Sequence, residues 1–95
     1  MKDAAIFDRF QELHARSQRL LIEFLKEELQ LGFTFADFAA SERVLGNLEH
    51  SECARHNAAN AACAIRRFLT RVENVETRST ISDNCTDLES VVSAL

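Results

Sequence analysis

Apolar residues recur along the first third of the chain at steps of three and four. Ile6, Phe7, Phe10, Leu13, Leu20, Leu21, Phe24 and Leu25 follow this spacing, while Asp8, Arg9, Glu12, Arg16, Arg19, Glu23 and Lys26 fill most of the opposite side. That period is the mark of one helical face, and it predicts a helix over about 3–30. Asp3 is the expected N-cap and Gly32 the expected stop, because a glycine past the last periodic residue takes up the left-handed conformation that ends a helix. Ile22, Leu29 and Leu31 widen the stripe enough for contact with two neighbouring helices.

A second, shorter helix is predicted over about 34–45. Thr34-Phe35-Ala36-Asp37 has the form of a capping box, Phe35, Phe38, Ala39, Val44 and Leu45 supply the apolar positions, and Gly46-Asn47 interrupts the pattern. A third helix is predicted over about 48–72. Its inner face is Ala54, Ala58, Ala61, Ala62, Ile65, Phe68, Leu69 and Val72, small residues first and larger ones after, so that the helix axes approach closely at one end. Its polar side runs through Glu49, Glu52, Cys53, His56, Asn60, Cys63 and Arg67. Beyond Val72 the chain turns to Ser, Thr, Asn and acids, which reads as a frayed end and a linker. A second capping box, Thr86-Asp87-Leu88-Glu89, opens a short terminal helix carrying Leu88, Val91, Val92 and Leu95. The division expected is therefore a helical domain over 1–79, followed by a linker and short C-terminal helix over 80–95.

Composition agrees. The 95 residues contain no Pro, Trp or Tyr and only two Gly, too few turn formers for an all-β domain. The fold class expected is all-α: an antiparallel helical hairpin or three-helix bundle with a short C-terminal helix, associating into a dimeric helical bundle. No apolar run approaches the ~20 residues that span a bilayer, and the opening MKDAAIFDRF carries acids where a signal peptide needs a basic start. Three cysteines form no Cys-x-x-Cys, and Cys53 and Cys63 are ten residues apart on one predicted helix, too far for a disulfide. Reduced thiols and a cytoplasmic location are the expectation.

The stretch from Gly32 to Cys63 resembles a single tetratricopeptide-type helical hairpin. Phe35, then Phe38-Ala39, then the Gly46-Asn47 turn, then Ser51 and Ala58 follow the order of that family's aromatic, large-small, turn and small positions. Glu42 and Arg55 stand where the family has large apolar residues, and no closing Pro follows. The resemblance implies helix-hairpin packing and, by analogy, protein binding.

Charge is unevenly distributed. Residues 1–52 carry a net −4, residues 53–72 a net +4 from Arg55, Arg66, Arg67 and Arg71, and residues 73–95 a net −4. The basic block sits toward the C-terminal half of the third helix, where cations favour the helix dipole, and a second arrangement has it facing Glu23, Glu27 and Glu28 of the first helix, within one chain or across a dimer. The overall −4 and the lack of an aromatic platform beyond Phe68 argue against nucleic acid as partner. Catalysis finds no support either, because no glycine-rich anion loop is present and Glu27-Glu28 are neighbours whose side chains diverge on a helix. No cofactor is expected.

Seven phenylalanines are the only aromatics. So few helices form a thin interior, too thin to hide Phe7, Phe10, Phe33, Phe35 and Phe38 together. Exposed apolar surface of that size marks an interface. The reading is a non-enzymatic protein–protein interaction or scaffold module that self-associates, with Phe10, Phe33, Phe35 and Phe38 as interface anchors. The alternative is a metal- or redox-sensing protein using Cys53, His56 and Cys63, since thiolate and imidazole groups suit zinc.

Overall fold

The computed structural model describes residues 2–95, with side chains described from residue 5 onward. Three helices follow one another: α1 (Lys2–Val44), α2 (Leu48–Leu69) and α3 (Val75–Ala94). No strand occurs among the described residues, and the fold is an all-α bundle of three helices. The expected N-cap Asp3 lies outside the described side chains.

The α1–α2 turn forms where Gly46-Asn47 stands. Gly46 adopts φ +82°, and the Gly46 and Asn47 amides donate to the carbonyls of Arg43 and Glu42, closing the last turn of α1. The chain then reverses, and Ser51 Oγ donates to the Ala39 carbonyl at 2.7 Å where the two helices cross. The predicted inner face of α2 is the observed one except at Phe68, which is half-buried: Ala54, Ala58, Ala61, Ala62, Ile65 and Leu69 are buried. The helix ends at Leu69, so that Val72, expected on it, is buried just beyond its end.

The break expected at Gly32 does not exist. One helix runs through Gly32-Phe33-Thr34 for 43 residues, and the Thr34 hydroxyl, the expected cap, instead donates back to the Gln30 carbonyl inside it. Gly32 is there for room rather than for conformational freedom. A Cβ at this position would lie 2.6 Å from Leu88 Cδ2 and 3.2 Å from Ala61 Cβ, well inside ordinary carbon contact. At this glycine α1 packs against both α2 and α3.

The C-terminal segment also differs from its prediction. In place of a linker and a short helix, α3 spans 20 residues from Val75. Asn74 caps it, its side chain accepting from the Thr77 amide at 2.9 Å. Ile81, Cys85, Leu88 and Val92 form its buried face at steps of four, three and four. Cys85 behaves as a small apolar residue here, its thiol directed at the Ala62 carbonyl at 3.7 Å. These four side chains close over Leu25, Leu29, Ala36 and Ile65 to make one continuous core.

Candidate interaction surface

The lengths of the helices decide what stays uncovered. At about 1.5 Å per residue, α1 is about 65 Å long and its antiparallel neighbour α2 about 33 Å. The molecule accordingly measures 68 × 20 × 15 Å, with a radius of gyration of 17.8 Å against about 12 Å for a compact chain of this length. The far end of α2 meets α1 at Gln18, whose side-chain amide donates to the Arg71 carbonyl at 3.0 Å and accepts from the Glu73 amide at 3.1 Å. His14 reaches Glu73 as well, with Nε2 2.7 Å from a carboxylate oxygen. Residues before His14 extend beyond the bundle as an overhang of α1.

Two apolar stripes run along α1. Leu25, Leu29, Gly32, Ala36 and Ala39 face α2 and α3 and are buried. About 110° around the helix, at 100° per residue, lies a second stripe of Ile6, Phe10, Leu13, Leu20 and Phe24, continued by Leu31 and Phe38. The expected single face of the first helix therefore splits, and of its eight residues only Leu25 is buried. The second stripe lies open, with exposure from 40% at Phe24 to 66% at Phe10. Its spacing is that of a coiled-coil seam: 6, 10, 13, 17, 20 and 24 alternate steps of four and three, with Ser17 the one polar member. The total accessible surface is 6890 Å², against about 5,500 Å² expected for a folded monomer of 10.7 kDa.

The four expected anchors separate into two kinds. Phe10 and Phe38 are exposed on the open stripe, whereas Phe33 and Phe35 are half-buried and packed against the core. Phe24 and Phe68 meet edge to face across the α1–α2 contact, with ring centroids 6.0 Å apart, and the Arg71 guanidinium lies 4.9 Å above the Phe68 ring.

The polar side of α2 is exposed as expected, Cys53, His56 and Cys63 included. Among the described residues, no three His, Cys, Asp or Glu side chains converge on a position that would hold a metal ion. Burial pushes the Cys85 thiol above its ordinary pKa, an effect partly offset by the nearby Arg66 charge. The basic block does not pair with the first helix. Arg55 binds Glu52 within α2 and holds that carboxyl below the usual carboxylate range. Arg66 crosses to α3 and donates to Ser82 Oγ, Thr86 Oγ1 and Glu89. Among the described residues, no ion pair joins these arginines to Glu23, Glu27 or Glu28.

Comparison with protein-family models, curated proteins and solved structures finds no match for this chain. The surface must be read from its own chemistry. No helix among the described residues is long and apolar enough to cross a membrane. What the surface offers is an exposed apolar stripe, three of whose seven residues lie on the overhang of α1.

Proposed function

We propose that this chain is a non-enzymatic protein–protein interaction module that works by self-association through the open stripe of α1. The observation that carries the reading is the overhang with its seam. Ile6, Phe10 and Leu13 stand more than half exposed on a helical segment beyond the described contacts of α1 with the end of α2. A lone helix of this length is marginal in water, and tertiary or quaternary cover is what normally holds one. Apolar side chains at seam spacing lose water most completely against another helix, and a helical overhang beside a bundle is a common route to a larger bundle.

A role in the cytoplasm is part of the proposal. Its support is three free cysteines, two of them exposed, which fit a reducing compartment.

The test is the mass in solution, by light scattering after size-exclusion chromatography, of the protein and of Phe10→Asp. The expected result is a dimer of about twice 10.7 kDa for the protein and a folded monomer for the variant. Phe10 lies outside the bundle, so its substitution should leave the melting of the bundle core intact. A monomeric parent, or a variant that dimerises undiminished, overturns the proposal.

A further inference from the structure

We propose that the partner of the open stripe is a second copy running antiparallel, with the two α1 helices crossing at about residue 15 so that the two bundles lie at opposite ends of a rod. This inference rests on the self-association proposed above and adds its direction and register.

The sequence of the seam favours this arrangement. With residue 15 at the two-fold axis, Ile6 faces the partner's Phe24, Phe10 faces the partner's Leu20, and Leu13 faces the partner's Ser17, each layer occurring twice. Every layer has at least one large apolar residue, and Ser17 leaves space beside Leu13 at the centre. Phe7, also exposed, flanks the seam opposite the partner's Leu21. Half-covered aromatic and aliphatic side chains each leave about 100 Å² open, so six per chain give roughly 1,000–1,200 Å² across the pair. That is the lower end of what a specific interface buries.

Charge decides between the two directions. In the antiparallel register Arg9 stands opposite the partner's Glu23 on both sides of the axis. The unfavourable element is Arg16 meeting its own copy at the axis, with Glu12 one turn back on the same helix to offset it. A parallel in-register pair would instead set Glu23 against the partner's Glu28, set Glu27 within the seam against its own copy, and stack Ser17 on Ser17. The apolar layers of the antiparallel overlap end at Phe24, beyond which Glu27 comes level with the partner's Asp3 rather than with its own copy. The covered bundle face of α1 lies about 110° from the seam, so α2 and α3 leave the partner's helix room.

The test places spin labels at Glu12→Cys and, separately, Lys26→Cys in the full chain, with Cys53→Ser and Cys63→Ser to remove the exposed thiols. Dipolar distances between the two copies are then measured. Along the rod the antiparallel pair separates the two 12-labels by about 9 Å and the two 26-labels by about 33 Å. The expected result is a short distance at 12 and a much longer one at 26. Two similar short distances mean a parallel pair and overturn this inference while leaving self-association standing. No dipolar signal, with a monomer mass, overturns both. A charge exchange gives a second readout. Arg9→Glu should weaken dimerisation about two- to thirty-fold through its two symmetric pairs, and adding Glu23→Arg should restore it. Failure of the second substitution to rescue the first overturns the register.

Discussion

Replacing Gly32 with alanine tests the three-helix contact, because two opposing effects meet there. In the interior of a helix, alanine is favoured over glycine by about 1 kcal/mol. Against that, the new Cβ would lie 2.6 Å and 3.3 Å from the two methyls of Leu88 and 3.2 Å from Ala61 Cβ. Leu88 is fully buried, so its methyls have little free space to move into, and overpacking of this kind costs about 1–3 kcal/mol. Gly32→Ala should therefore be destabilising by about 1 kcal/mol. Leu88→Ala alone should cost about 2–5 kcal/mol through the cavity it leaves. In that background the clash with Leu88 is gone, the added methyl fills part of the cavity, and Gly32→Ala should be stabilising by about 1 kcal/mol. The cycle thus predicts a coupling of about 2 kcal/mol. Urea unfolding followed by helical circular dichroism measures it, at one fixed protein concentration so that association contributes equally to each variant. If Gly32→Ala stabilises the parent protein, or shifts both backgrounds equally, then α1 does not pass Leu88 in this way and the continuous helix is wrong.

Other consequences follow from the same packing. Ellman's reagent should titrate Cys53 and Cys63 promptly in the native protein and Cys85 only on unfolding; prompt reaction of all three would refute the burial of α3. The raised Cys85 pKa favours the neutral thiol in the folded chain, so its contribution is complete below the ordinary thiol pKa and is lost as pH rises above about 8.5. Cys85→Ala should flatten that alkaline decline in a pH series of melting temperatures. Ser51→Ala removes the buried bond to the Ala39 carbonyl and should cost about 1 kcal/mol, seen as a lower urea midpoint with unchanged slope.

Much of the fold was legible because the period of apolar residues is set by the helix itself. The Ala-rich face of α2 and the Gly46 turn could be read directly, the first from spacing and the second from a glycine and an asparagine at the end of a periodic run. Gly32 could not be. A glycine announces the absence of a Cβ, and only the tertiary approach of Leu88 says whether that absence serves a turn or a tight contact. The start of α3 was hidden by composition. Its Ser, Thr and Asn residues favour linkers, and Cys85 drew attention as a thiol, although the spacing of Ile81, Cys85, Leu88 and Val92 was available as a signal. On α1 the period was legible and the burial was not. Whether Ile6, Phe10 and Leu13 are core depends on how far a partner helix reaches, and α2 ends before it reaches them. The thin interior did foretell open phenylalanines, yet it could not say that Phe33 and Phe35 would pack inward while Phe10 and Phe38 would not.

Amide hydrogen exchange over residues 5–13, measured across a dilution series, tests self-association at the place where it is proposed to occur. Uncovered, this segment is a helix end whose amides should exchange nearly as fast as in an unfolded chain. The account predicts protection that rises with protein concentration and disappears in Phe10→Asp, while the amides of α2 stay protected throughout. Fast exchange of residues 5–13 at every concentration, or protection indifferent both to dilution and to Phe10→Asp, would contradict it.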